Sequence, residues 1–130
     1  MTNLELVRAI YAAWGRGDFD ASDWADPEIE FVIPDGLDAG SWRGVDQMRA
    51  AWTGTLSAFH GLRVEAEEIR EVDEERVLVL TRNSGRGKGS GVELGEITTL
   101  GANVFHVRDG KVARLVAYWD RDRALAELGG

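Results

Sequence analysis

The dipeptide Asp109-Gly110 constrains the fold more than any other feature, because it stands between two runs rich in β-branched and aromatic residues. A two-residue type I′ turn needs positive φ at both central positions, so Asp-Gly in this setting predicts a β-hairpin. Side chains alternate between the two faces of a strand. One face of the predicted hairpin is mostly apolar and comprises Asn103, Phe105, Val107, Ala113, Leu115, Ala117 and Trp119. We interpret it as a core face that opens into a pocket.

The remaining sequence predicts helices first and consecutive strands afterwards, which is the α+β pattern. A capping box at residues 2–5 begins a first helix with an apolar stripe up to Trp14. Further helices are predicted over 45–59 and 121–128, a short helix or turn over 19–24, and strands over 28–33, 62–72, 76–84, 92–107 and 112–118. A slip in alternation at Glu67-Glu68 predicts a β-bulge. We expect one domain over residues 1–130, with helices packed on one face of a curved, mostly antiparallel sheet.

Composition excludes several classes of function. The net charge is −8, which argues against nucleic acid and against anionic membrane surfaces as partners. The chain has no cysteine, so disulfides, thiolate chemistry and cysteine metal sites are excluded. We find no signal-peptide pattern and no apolar stretch near the roughly 20 residues of a membrane span. These features favour a cytoplasmic protein.

Other chemical motifs are weak. The glycine-rich stretch 85–91 has glycine at every second residue and lies between predicted strands, so it predicts a strand connection and not a phosphate loop. His60 and His106 are too far apart in sequence to suggest a metal site, and alternation places His106 on the outer face of its strand. Ser57 and Ser90 lack the context of a hydrolase nucleophile.

Three segments resemble the SnoaL-like branch of the nuclear-transport-factor-2-like superfamily. They are WGRGDFD at residues 14–20, WRGVDQM at 42–48 and VRDGKVARLVAYWD at 107–120. The resemblance implies a cystatin-like α+β cone, in which a curved sheet wraps around the N-terminal helices and encloses an internal cavity. It also implies a small hydrophobic ligand, chemistry without a cofactor, and a homodimer formed through the outer face of the sheet. Val104, His106, Val116 and Tyr118 lie on that outer face and are too apolar for a fully solvated surface, which supports the dimer independently.

The resemblance makes Asp35 and Asn103 the candidate catalytic pair. Enolisation, cyclisation and epoxide opening need a carboxylate base and a donor that stabilises an oxygen anion. In the ketosteroid isomerases of this superfamily, the donor occupies the position of Asn103, whose amide donates without any pKa change. The isomerase base falls on Ile33 here, and Asp35 lies two residues farther along the same face. Alternatively, Asp35 is a turn residue before Gly36 and Asn103 a satisfied buried amide.

We predict five substrate-binding residues. Trp119 matches the aromatic residue that the family often places at the end of the second hairpin strand, and Trp42 lies in a predicted loop where pockets open. Tyr11 is adjacent to Ile10, on which the catalytic tyrosine of the isomerases falls. Phe105 lies on the inner face of the hairpin. Arg82 is the fifth, although the sequence leaves open which face of its strand it occupies.

Three functions remain open at the level of sequence. The first is a cofactor-independent isomerase, cyclase or hydrolase that acts by acid–base chemistry on a hydrophobic substrate with a carbonyl or hydroxyl group. The second is a binding module for a similar ligand, and the third is a protein-interaction scaffold whose cavity its own side chains fill. A carboxylate with a raised pKa in an open cavity favours the enzyme, an open cavity without a carboxylate favours the binder, and a closed cavity favours the scaffold.

Overall fold

A computed structural model describes residues 2–16, 23–35, 39–57, 59–88 and 93–128. These residues form, in chain order, α1 (Asn3–Gly15), β1 (Ala25–Ile33), β2 (Gly40–Arg43), α2 (Val45–Ser57), β3 (Phe59–Glu71), β4 (Arg76–Lys88), β5 (Glu93–Arg108), β6 (Lys111–Tyr118) and α3 (Arg121–Glu127). None of the described helices is long and apolar enough to cross a membrane.

The strands form one six-stranded sheet in the order β2-β1-β6-β5-β4-β3. Every neighbouring pair is antiparallel except β1 and β6, which run parallel. The predicted α+β fold with a mostly antiparallel, curved sheet is therefore confirmed. The first and last strands of the sequence meet in the middle of the sheet, so the hairpin lies next to β1.

Helices α1 and α2 cover one face of the sheet, which we call the inner face. Val7, Ile10, Tyr11 and Trp14 are the buried residues of α1. They share one core with strand residues such as Phe105 and with Met48 of α2. The predicted apolar stripe of the first helix is the surface of α1 that packs against the inner face of the sheet. Burial of this stripe stabilises the helix far more than its intrinsic propensity does.

The predicted local signals are found in the structure. Asp109 has φ 53° and Gly110 has φ 75°, as a type I′ turn requires. The Thr2 hydroxyl accepts a hydrogen bond from the Glu5 backbone N–H at 3.1 Å, which caps α1. The register between β3 and β4 shifts between Ala66 and Glu68, which confirms the bulge and makes Glu67 its extra residue.

Two local predictions are wrong, and a third is confirmed in part. The predicted loop containing Trp42 includes β2, in which Trp42 pairs with Phe31. The glycine-rich connection begins as strand, because β4 continues to Lys88 with a register shift between Arg86 and Lys88. Residues 89–91 lie outside the described part of the chain, as does most of the turn predicted over 19–24. A further register shift in the hairpin, beside Val107, brings Val112 and not Ala113 into the inner core.

The other face of the sheet, which we call the outer face, has its own apolar cluster with Leu78, Val104 and Val116. Ala124 of α3 is a fully buried member of this cluster. Because α3 covers this face within one chain, its apolar character does not require a partner subunit. The homodimer therefore remains an expectation from the family resemblance.

His106 lies on the outer face, as alternation predicted. It pairs across the sheet with Arg76 on β4 and Arg114 on β6. Partial burial, followed by these guanidinium groups, lowers the pKa of His106 below its usual value. The side chain points away from the inner face and takes no part in the site described next.

Candidate functional site

A small cavity lies on the inner face, where the ends of several strands meet α2. Its volume is about 30 Å³, and its lining is mostly apolar with two carboxamides. The lining residues are Ile33, Trp52, Val64, Asn83, Asn103, Ala117, Tyr118 and Trp119. This volume suits one or two water molecules, whereas typical ligand pockets have about 300–1,000 Å³. A ligand of even modest size therefore requires part of the wall to move.

Asn103 is the central polar group of the site. Its Nδ2 donates a hydrogen bond of 2.6 Å to the Tyr11 hydroxyl oxygen. Both side chains are buried, Asn103 at 8% and Tyr11 at 8% exposure. A buried amide is costly unless it is hydrogen-bonded, so the pairing explains how Asn103 is tolerated. It also fixes the orientation of the amide toward the cavity.

Tyr11 supports Asn103 from behind. Its ring meets Trp14 edge-on at 4.8 Å and Phe105 edge-on at 5.9 Å between ring centroids. Burial raises the pKa of Tyr11 above its ordinary value, against a smaller lowering by Asn103. The hydroxyl therefore stays neutral at physiological pH. Tyr11 and Asn103 form a fixed neutral dipole pair beside the cavity.

Asn83 supplies the second carboxamide of the lining. Asn83 alternates with Val79 and Thr81 on the inner face of β4. Its side chain packs against Gly101 on the neighbouring strand β5. A Cβ atom on Gly101 would come within 2.9 Å of Asn83 Nδ2. The missing side chain of Gly101 thus makes room for this amide. Alternation through Val79 and Thr81 was the available sequence signal for Asn83, and it was overlooked.

Asp35 lies just beyond the end of β1 and is not among the residues that line this cavity. Its Oδ1 accepts a hydrogen bond from the Trp119 backbone N–H at 2.8 Å, and its Oδ2 accepts one from the Asp120 N–H at 3.1 Å. The carboxylate thus binds the backbone that carries the Trp119 side chain. The structure brings Asp35 to the wall of the cavity and gives both of its oxygens backbone partners. Its catalytic role remains a prediction.

The predicted substrate-binding residues divide into two groups. Trp119 lines the cavity. Tyr11 and Phe105 belong to the core behind it, and Trp42 packs on Phe31 at 5.7 Å between ring centroids. Arg82 shares the outer parity of Leu78 and Leu80 and is exposed, which settles the face that the sequence left open. Its position does not favour contact with a ligand in the cavity.

Besides Asn83, sequence reasoning missed several apolar wall residues. Ile33 faces inward by simple alternation, and Val64 precedes the bulge of β3. Ala117 lies on the hairpin face that was predicted to open into a pocket, and it lines the cavity. Trp52 comes from α2 and packs on Trp14 at 5.7 Å between ring centroids. Helical spacing from Val45 and Met48 predicts that Trp52 lies on the buried side of α2, but only the tertiary packing shows that it also lines the cavity.

A larger cleft of about 670 Å³ opens at the start of α2. Its charged lining residues are Asp23, Asp46, Arg43 and Lys111. The cleft is open to solvent and carries both signs of charge. Among the residues that the structure describes, no three His, Asp or Glu side chains are grouped so that they could hold a metal ion.

Comparison with known proteins agrees with this architecture. Residues 7–115 match the sequence pattern of the SnoaL-like domain. No curated protein matches the sequence. The structure of TerC co-crystallized with polyporic acid is similar, with a TM-score of 0.76, 23% identity, and coverage of 97% of this chain and 96% of TerC.

Two further solved structures show the same fold. A protein of unknown function from Burkholderia pseudomallei K96243, described as NTF2-like, has a TM-score of 0.79 at 20% identity, with 100% of both chains covered. A Catenulispora acidiphila DSM 44928 protein with a ketosteroid isomerase-like fold, in complex with trimethylamine, has a TM-score of 0.72 at 17% identity, covering 99% of this chain and 95% of its own. At sequence identities this low, the similarity shows a shared fold and nothing more.

Proposed function

The chain belongs to the SnoaL-like domain family, and from this premise we propose that it binds a small, largely apolar molecule through a carbonyl or hydroxyl oxygen. One observation carries the proposal. The Asn103 amide, held by the Tyr11 hydroxyl at 2.6 Å, faces an otherwise mostly apolar cavity. Neutral donors in an apolar setting favour a neutral oxygen over a free charge. The complex of the related fold TerC with polyporic acid is consistent with a small-molecule ligand.

Binding is better supported than catalysis by Asp35. A general base must lie within hydrogen-bond reach of the proton that it removes. Both Asp35 oxygens accept backbone N–H groups of Trp119 and Asp120, and Asp35 is not among the residues that line the cavity. Asn103 remains suited to stabilise an oxygen anion if another group supplies the base. Acid–base catalysis at the same site is thus a second, more specific part of the proposal.

A protein-interaction scaffold is the second candidate function. The volume of about 30 Å³ favours it, because the cavity is largely filled by its own side chains. A scaffold with a filled cavity should bind neither a ketone nor a hydrocarbon of similar shape. The ligand titration described next therefore separates the two candidates.

Asn103→Leu is expected to weaken binding of cyclohexanone about five- to tenfold while leaving methylcyclohexane unchanged. The variant keeps the volume of the side chain and removes the amide, and a neutral hydrogen bond contributes roughly 1 kcal/mol. Two-dimensional NMR titrations measure both affinities and report directly on the Asn103 side-chain NH₂ signal in the parent protein. Asn3→Leu is the matched control, because the Asn3 amide binds the Glu74 carbonyl on the exposed surface. Equal cyclohexanone affinity in parent and Asn103→Leu, or no binding at all, would contradict the proposal.

The finer catalytic proposal predicts that the protein accelerates exchange of the α-hydrogens of cyclohexanone in D₂O. Proton abstraction next to a carbonyl is the reaction that an oxyanion donor assists. Proton NMR follows the loss of the α-hydrogen signal with time. If Asp35 is the base, Asp35→Asn abolishes the acceleration, whereas Asp26→Asn retains it. If the α-hydrogens exchange at the uncatalysed rate while cyclohexanone still binds, the catalytic proposal is wrong and the protein is a binding module.

A further inference from the structure

The segment Trp119–Asp120, which we call the Trp119 strap, connects β6 to α3 and forms part of one wall of the cavity. Trp119 lines the cavity from this segment. Asp120 caps α3 by accepting the Asp122 backbone N–H at 3.0 Å. The strap and α3 are therefore linked, and displacement of one is expected to displace the other.

Asp35 attaches the strap to the end of β1. Its two oxygens hold the consecutive backbone N–H groups of Trp119 and Asp120, as described above. A charged acceptor makes stronger hydrogen bonds than a neutral one. The strap cannot leave the cavity without breaking both bonds.

Arg121 attaches the other end of the strap to the neighbouring strands β5, β4 and β3. Its guanidinium donates to the Thr81 carbonyl at 3.0 Å and its Nε to the Gly101 carbonyl at 3.4 Å. It also forms an ion pair of 2.5 Å with Glu67. Pairing between β5 and β6 reaches only as far as Ala102 and Tyr118, so Arg121 occupies the place that a longer β6 would fill. Glu67 is available there because it is the extra residue of the β3 bulge.

We propose that the Trp119 strap is the gate of the cavity and that Asp35 and Arg121 are the positioning residues that hold it shut. The inference rests on the proposed function, since a ligand larger than about 30 Å³ must displace part of the wall. It assigns Asp35 a role in access, which is distinct from the proton transfer tested above. The ion pair of Glu67 with Arg121 lets the β3 bulge act on the strap from three strands away.

Amide hydrogen exchange measured by NMR tests the gate without any ligand, because the rate reports the population of locally open states. We expect Asp35→Asn and Arg121→Gln each to accelerate exchange at the Trp119 and Asp120 N–H groups about tenfold. Glu67→Gln, which touches neither amide, should accelerate it about two- to fivefold. The matched controls are Asp26→Asn and Glu68→Gln. Asp26 accepts the Glu28 backbone N–H near the start of β1, and Glu68 pairs with Arg70.

Access to the cavity is measured in the same samples with dissolved oxygen as a small paramagnetic probe. Gate opening should raise the oxygen-induced relaxation of the Ile33 and Val64 methyl signals in the Arg121 and Glu67 variants, while the Phe105 amide keeps its parent exchange rate. Unchanged methyl relaxation, or Phe105 exchange that rises by the same factor as the strap, would overturn the gate. Loss of cyclohexanone binding would count against the proposed function alone. Where cyclohexanone does bind, its association and dissociation rates should rise together.

Discussion

Phe105→Ala should lower the free energy of unfolding by about 3–5 kcal/mol, the range found for truncation of buried aromatic side chains. Phe105 is 0% exposed and is among the largest fully buried side chains of the described core. It contacts Tyr11 edge-on, and its ring lies 6.5 Å from that of Trp24 between centroids. Truncation removes these contacts and leaves a cavity that the strands around it cannot close. Urea denaturation followed by circular dichroism measures the change.

Leu100→Ala is the control for Phe105→Ala. Leu100 lies on the same strand but is 49% exposed, so its truncation should change the free energy of unfolding by no more than about 0.5 kcal/mol. A loss below about 1 kcal/mol for Phe105→Ala, or equal losses for the two variants, would contradict the description of the inner core. Phe105 also supports Tyr11, so a folded Phe105→Ala protein should show a displaced Asn103 side-chain NMR signal.

Gly101→Ala should have the second largest effect, a loss of about 1–3 kcal/mol. The new Cβ would lie 2.6 Å from the Tyr118 carbonyl oxygen, which belongs to the backbone and cannot rotate away. It would also lie 2.9 Å from Asn83 Nδ2 and 3.1 Å from Thr81 Oγ1. Relief of these contacts requires β6 to separate from β5 at the position where the hairpin ends. The free energy of unfolding from urea denaturation measures the loss.

Gly54→Ala is the matched substitution on α2. Apart from the backbone of α2 itself, no atom of the described residues lies within 4 Å of a Cβ atom built on Gly54, and alanine is favoured over glycine inside a helix by up to about 1 kcal/mol. The same chemical change should therefore stabilise the protein at one position and destabilise it at the other. A free energy of unfolding that does not fall in Gly101→Ala would show that the close approach at Gly101 is relieved without loss.

The sequence predicted those parts of the site that depend on strand alternation. Asn103 and Trp119 were placed on the inner face by a period of two, and both line the cavity. The same alternation ran through Asn83, but a polar residue on an otherwise apolar face was not recognised as part of the site. The bulge at Glu67 was visible as a slip in the pattern. Its ion pair with Arg121 was not, because Arg121 comes from a distant helix.

The contacts of Asp35 could not be predicted from local sequence. Its partners are the backbone N–H groups of Trp119 and Asp120, and backbone donors carry no sequence signal. Turn chemistry at Asp35-Gly36 and a possible catalytic role were equally compatible with the residue type. Trp42 was misplaced for a similar reason, because a strand as short as β2 becomes recognisable only through its pairing with β1.

The parallel pairing of β1 with β6 bears on how the chain reaches its folded state. Strands β3 to β6 follow one another as antiparallel neighbours and can assemble through contacts that are local in sequence. β1 can pair with the sheet only after β6 has formed. Residue pairs between them, such as Phe31 and Leu115, close a loop that spans most of the sequence. Contacts of such long range slow folding. The docking of β1 and β2 onto an already formed meander is thus expected to be the late step, and until then the edge of β6 is exposed to pairing with other chains.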